Sequence, residues 1–139
     1  MSALLDRLLA LWQEPVDERA DPEAAFREVY RDPVSINGVP TPVSSLVERA
    51  RALQRSFADL ATEIVDEVET AERVVIAFYM RGRHVAPFDT PIGTVAPTGR
   101  AVEIRTIDVL AIADGLITAL WVVSDELGML TQLEAVGLV

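Results

Sequence analysis

The chain has 139 residues, half of them hydrophobic and 24% charged, which is enough for one folded domain over residues 1–139 with its own core. A net charge of −10 argues against nucleic acid and against an anionic membrane surface, since both select clustered Lys and Arg. All 12 basic residues are Arg, and the absence of Lys and Cys excludes a Schiff base or a thiolate nucleophile, while a single His leaves too few ligands for a zinc site.

The first segment, ALLDRLLALWQ, places Leu4, Leu5, Leu8, Leu11 and Trp12 at helical spacing. Asp6 and Arg7 interrupt the apolar run and no small-residue cleavage site follows, so a core helix is expected rather than a secretory signal. No run of ~18 apolar residues spans a membrane. With no cysteine to suggest an oxidising compartment, a cytoplasmic location is the expectation. Asp21-Pro22 forms a cap and first-position pair, and a helix is expected from there through Tyr30. The segment DPVSINGVPTP carries an Asn37-Gly38 turn and reads as a loop or tight hairpin. A third helix is expected from about Val43 to Leu60, with Leu46, Val47, Ala50, Leu53 and Phe57 on one stripe.

Beyond this point the pattern changes to strands. Glu63–Val68 alternates weakly, and Arg73–Arg81 is rich in β-branched and aromatic residues. His84 to Gly99 holds Pro and Gly throughout and is the longest irregular stretch. Ala101–Ile112 and Leu116–Val123 then form a hairpin about Asp114-Gly115, and Ser124 or Asp125 can cap a final helix. Helices followed by antiparallel strands predict an α+β fold with the helices on one face of a curved sheet. Both faces of the hairpin are apolar, so something must cover the outer one, and a second copy of the chain is the expected cover.

The elements Pro97-Thr-Gly-Arg100, Arg105-Thr-Ile-Asp108, Asp114-Gly115, Trp121 and Asp125-Glu-Leu-Gly128 followed by Gln132-Leu133 resemble, in order and spacing, the C-terminal half of SnoaL-like proteins. These belong to the nuclear transport factor 2-like superfamily. Arg81-Gly-Arg-His84 fits the same pattern, and the N-terminal helices match in order and length. The resemblance implies a cone-shaped, curved antiparallel sheet with a ligand pocket inside, closed by the N-terminal helices, and an outer face that commonly dimerises. It implies a hydrophobic small-molecule partner, and polyketide cyclases among its members work without cofactor or metal. Epoxide hydrolases and non-catalytic binding domains share the fold, so the site must decide between them.

Hairpin register decides which residues face the pocket. A two-residue turn at Asp114-Gly115 puts Asp108 opposite Trp121, and a three-residue loop puts it opposite Leu120. The resemblance favours the second. The pocket face then holds Ile104, Thr106, Asp108, Leu110, Thr118, Leu120 and Val122, with Ile76, Phe78 and Met80 from the preceding strand, His84 at the mouth and Tyr30 reaching in from the second helix. In such a cavity Asp108 would be desolvated and suited to general acid–base work, with His84 assisting. The competing reading makes Asp108 a structural carboxylate and His84 a partly exposed strand-end residue. Cyclases of the family carry an acid/base Asp directly after the Trp, whereas Val122 follows Trp121 here. The expected activity is therefore a cyclase or isomerase resting on Asp108 and His84. A binding protein that has lost the carboxylate is the alternative, and epoxide hydrolysis ranks below both because too few polar residues converge.

Overall fold

In the computed structural model, which describes residues 3–139, the chain runs α1 (Ala3–Gln13), a 3-10 turn (Val16–Glu18), α2 (Pro22–Arg27), β1 (Tyr30–Ile36), β2 (Val39–Thr41) and α3 (Val43–Ser56). Six strands, β3 (Phe57–Glu69), β4 (Arg73–His84), β5 (Phe88–Thr90), β6 (Gly93–Val95), β7 (Ala101–Ala113) and β8 (Leu116–Ser124), precede α4 (Glu126–Gln132). The main sheet has six strands in the order β2-β1-β8-β7-β4-β3, and β5 and β6 form a separate hairpin.

This is the expected α+β arrangement: a curved, mostly antiparallel sheet with helices packed on its concave face. One pair departs from it, because β1 runs parallel to β8. No turn joins these two strands, so local turn chemistry does not set their direction. The second helix also stops earlier than periodicity predicts. It ends at Arg27, and Val29, Tyr30 and Pro33 favour extended backbone, so Tyr30 opens a strand instead of closing a helix. The third helix likewise ends at Ser56, where the strand-type alternation starting at Phe57 takes over.

Curvature comes from irregularities in the ladders. Register shifts lie between Ala58 and Ala61 and between Ile64 and Asp66 on β3. Gly82 allows the close approach at the first of these, since a Cβ there would stand 3.1 Å from the Cβ of Phe57. Along β7 the even residues Val102, Ile104, Thr106 and Leu110 are buried and the odd residues from Ala101 to Ile107 are exposed. Two buried clusters occupy the concave side. The larger joins Leu5, Leu8 and Leu11 of α1 and Phe26 of α2 to Ile76, Leu110 and Leu120 of the sheet. The smaller joins Phe57, Val102 and Ile104 to Met129, Leu130 and Leu133.

The outer face has an exposed apolar patch beside the ion pairs that Arg81 makes with Glu63 and Glu103. Ile107, Trp121 and Val123 are 54%, 60% and 75% exposed there. An open groove of about 580 Å³ runs across it between Val65, Tyr79, Ile107 and Val123. At one end of the sheet, β3 is a free edge, and its exposed Asp66, Glu67 and Glu69 line the distal half of that strand.

Candidate functional site

The β7–β8 hairpin holds Asp108, and its register combines features of both expected forms. Asp114 and Gly115 both have positive φ, 53° and 75°, so the turn is a two-residue one with the left-handed conformations such a turn needs. Ala113 pairs with Leu116 and Ile112 with Ile117, but the ladder slips after Ala111 and continues as Ala111–Ala119. Thr118 is the extra residue, and its hydroxyl donates to the Ala111 carbonyl at 3.4 Å. The slip corrects the expected pairing: Asp108 stands opposite Val122, not Leu120 or Trp121. Trp121 consequently falls on the outer face, where it is exposed.

Asp108 therefore sits on the concave face between Ile76 of β4 and Val122 of β8. The next rung toward α4 comprises Ile64, Phe78, Thr106 and Ser124, and the one after it pairs Met80 with Ile104. Ile64, Phe78, Asp108 and Val122 are half-buried, unlike the sealed residues of the two clusters on either side. Ile104, Thr106, Leu110 and Leu120 lie on the same face and are buried. Thr118 is displaced from the pocket row by the bulge, and Ile117 takes the fully buried position beside it.

The environment of Asp108 is apolar. Its Oδ1 is buried with no hydrogen-bond partner among the described residues. Burial alone pushes its carboxyl up to about 7, with no neighbouring cation to oppose the rise. A group poised there exchanges protons at neutral pH. Thr106 and Ser124, bonded to each other at 3.0 Å, are the polar residues on the adjacent rung, and the buried Tyr30 feels the charge of Asp108 from further along the sheet. The Tyr30 phenol is 4% exposed and accepts a 2.9 Å hydrogen bond from the indole Nε1 of Trp12. Burial raises the phenol well above its usual range, the Trp12 bond opposes this, and the charge of Asp108 adds to it.

His84 is elsewhere. It shares the concave face of β4 with Ile76, but eight residues separate them, roughly 26 Å of extended strand. It is fully buried rather than partly exposed at a pocket mouth. Its Nδ1 accepts the backbone N–H of Thr98 at 3.2 Å and lies 3.0 Å from the Thr98 hydroxyl. Its backbone N–H donates to Arg100 and its carbonyl accepts from Gly99. Phe57 packs on the ring at 5.6 Å between centroids. His84 thus fastens the 97–100 segment to the end of β4, and the structure does not bring it to Asp108. The other polar candidates have structural partners: Arg105 pairs with Asp125 at 2.8 Å, and Asp125 caps α4 through the N–H of Gly128.

Sequence reasoning misses two contributors. Asn37, with φ of 50°, donates to the Val122 carbonyl at 3.2 Å and accepts its N–H at 2.8 Å. Its amide so replaces a strand residue and holds β8 where Val122 meets Asp108. Trp12 reads as core from its spacing, but its indole N–H fixes the phenol of Tyr30. The Asn37-Gly38 turn marks the first position; the 18-residue separation of Trp12 and Tyr30 leaves no local mark of the second.

The SnoaL-like polyketide cyclase family model matches residues 3–133. Among solved structures, the chain is similar to TsrD from Streptomyces laurentii, with 24% identity, 96% of this chain and 93% of that chain covered, and a TM-score of 0.79. It is similar also to IdmH from Streptomyces antibioticus, at 23% identity over 96% and 99% of the two chains with a TM-score of 0.71. A SnoaL-like polyketide cyclase from Agrobacterium tumefaciens C58 gives 22% identity, 96% and 99% coverage and a TM-score of 0.70. None of the curated proteins matches at a significant level. A match across nearly the whole chain and a shared architecture lead to one conclusion: this protein is a member of the SnoaL-like polyketide cyclase family.

Proposed function

We propose that the protein is a cyclase or isomerase that moves a proton on a hydrophobic, carbonyl-bearing small molecule, with Asp108 as the acid–base group. The observation that carries this is a half-buried carboxyl with an unpartnered oxygen and a proton affinity near neutrality, set in an apolar strip. The ionised carboxylate removes a proton from carbon next to a carbonyl, and the C–H electron pair becomes the enolate. The enolate carbon then attacks a second carbonyl of the same molecule and forms the C–C bond. The new alkoxide takes its proton from the Asp108 carboxylic acid. The proton taken is the proton returned, so no cofactor or metal enters the balance. The same reading has the protein working in the cytoplasm as a homodimer joined through the outer sheet face.

The register supports a specific account of Val122. Directly opposed residues on neighbouring antiparallel strands have Cβ atoms roughly 4.5–5.5 Å apart. Asp108 opposite Val122 therefore presents a carboxylate to the same space that a carboxylate at position 122 would occupy. On this reading the acid–base group stands one strand over. A second reading, a binding protein without catalysis, is favoured by the apolar Val122 itself.

Hydrogen–deuterium exchange next to the carbonyl of β-tetralone, an enolisable aromatic ketone, tests both. Wild-type protein should accelerate exchange, with a rate that rises with pH through about 7 as the carboxyl ionises. Asp108→Asn should lower it by about 10²–10⁴-fold. Asp108→Val should be equally poor, and the double exchange Asp108→Val with Val122→Asp should recover most of the rate. Exchange that is no faster than in buffer, with β-tetralone bound, would establish the binding reading.

A further inference from the structure

We infer that Asn37 is a positioning residue of this site: its side-chain amide clamps β8 so that Val122 is held against Asp108 and water is kept from the carboxyl. The catalytic part of the inference rests on the Asp108 reading; the clamp itself stands on the strand geometry.

The clamp follows from where β1 ends. β1 runs parallel to β8 as far as Ile36, which is level with Leu120, and the backbone N–H of Asn37 donates to the Leu120 carbonyl at 2.9 Å. The chain then turns away at Asn37-Gly38, both with positive φ, to enter β2. β1 is therefore too short for its backbone to pair with Val122. The Asn37 amide takes that place, donating to the Val122 carbonyl and accepting its N–H. Both main-chain groups of Val122 point toward β1 and away from β7. In an antiparallel pair, residues with main-chain groups turned outward form the narrow kind of rung, with Cα atoms roughly 4.5 Å apart and side chains closer than on the alternate rungs. Asp108 and Val122 form that rung. One side-chain amide thus fixes the strand that sets an apolar group opposite the carboxyl.

The surroundings of Asp108 give this contact its weight. Ile76 flanks it on β4, and the rungs on either side bring Leu110 with Leu120 and Thr106 with Ser124. The helices that pack on this side of the sheet meet it through apolar residues of the larger cluster. No charged group on these elements contributes to the raised proton affinity of Asp108, which comes from burial alone; Tyr30 on β1 is the titratable group that its charge reaches. An affinity raised by desolvation falls as soon as water gains access. Release of the clamp leaves Val122 on a free edge, its N–H and C=O returned to water, and lets water in beside the carboxyl. Asp108 then ionises more readily and is a weaker base. Asn37 touches no reacting atom and acts through Val122.

The test follows the Asp108 carboxyl carbon by NMR as pH is varied, with Asp108→Asn supplying the assignment. Asn37→Gly removes the amide and keeps the turn, because glycine adopts positive φ freely. It should bring the titration of Asp108 down from about 7 by about one pH unit. In β-tetralone exchange the pH inflection should move by the same amount, and the plateau rate should fall about 3-fold, as a weaker base requires. Val122→Ala leaves the bonds of Asn37 to the backbone in place and should lower the titration likewise. Adding Asn37→Gly to it should change little, because both act at one contact. Gln132→Ala is the matched control: the Gln132 amide makes the same two bonds to the main chain of Glu103 on β7, at 2.7 and 2.9 Å, and its loss should leave Asp108 titrating as in wild type. A titration unmoved by Asn37→Gly, moved equally by Gln132→Ala, or lowered additively by Asn37→Gly and Val122→Ala would overturn the inference. Exchange as fast in Asp108→Asn as in wild type would overturn the catalytic part together with the Asp108 reading, whereas a lowered titration in Asn37→Gly would still establish the clamp.

Discussion

Placing a carboxyl against Ile76 and Val122 makes the protein's stability depend on pH in a direction opposite to that set by Asp32 and Asp125. Asp108 holds its proton more tightly when folded, about 7 against 3.8 for an unperturbed group. The folded state thus binds more protons than the unfolded chain between these values, and stability falls as pH rises through that window. The contribution is fully present below 3.8 and is lost above about 7. Asp32 and Asp125, held low by bonds to Val43 and Arg27 and to Arg105 and Gly128 respectively, act the other way. Comparison with Asp108→Asn isolates the effect. From pH 4 to pH 8 the stability difference should move in favour of the Asn variant by on the order of 2–4 kcal/mol in denaturant titrations. A difference independent of pH would mean that Asp108 is solvated. The face of Asp108 was legible in the sequence because alternation along β7 is regular. Its partner was not, because the bulge at Thr118 depends on one backbone choice that neither periodicity nor turn chemistry records.

At the level of elements, the site depends on how the helices seal one end of the concave face. Gln54 of α3 is the fastening. Its amide nitrogen donates to the carbonyls of Trp12 and Glu14 at 3.1 and 2.9 Å, and its oxygen accepts the N–H of Val16 at 2.9 Å. One side chain thus satisfies three backbone groups where α1 ends and the 3-10 turn begins. Gln54→Ala should cost about 1–3 kcal/mol in thermal or denaturant unfolding and should loosen Trp12. A loss below the error of the measurement would show that water replaces the amide. Helix positions were readable from apolar spacing, yet both helix ends predicted by periodicity were too late. Leu60 and Tyr30 fit a helical stripe as well as a strand face; Val29 and Tyr30 after the second helix, and the alternation from Phe57 after the third, decided the matter. The extent of β4 misled the site prediction too. It continues to His84, so a residue expected near Asp108 lies at the far end of the same ladder.

Across the whole molecule, the outer sheet face presents exposed Ile107, Trp121 and Val123 beside an open groove. Specific dimers need about 800 Å² per partner, and a dimer through this face would centre on these three residues. A homodimer through it should become monomeric in sedimentation velocity when Ile107→Arg and Val123→Glu are combined, with the fold retained. A variant that sediments as wild type would place any dimer on another surface. The apolar residues on both sides of β7 and β8 were legible in the sequence; a second copy over the outer ones is what the sedimentation measurement tests, since one chain carries no mark of its partner.

The acid-lined edge of β3 has a consequence for handling and storage. An unpaired strand offers its backbone to any other strand, and like charges along it are what keep two such edges apart. Asp66, Glu67 and Glu69 supply that repulsion here, on a strand whose Val65 and Val68 are more than half exposed. Near the isoelectric point of 4.4 the net negative charge that keeps whole copies apart vanishes. Edge-to-edge polymerisation, rather than unfolding, should then be the first failure on mild acidification. It would appear as light scattering at unchanged far-ultraviolet dichroism, and dilute alkali should reverse it before the strands anneal.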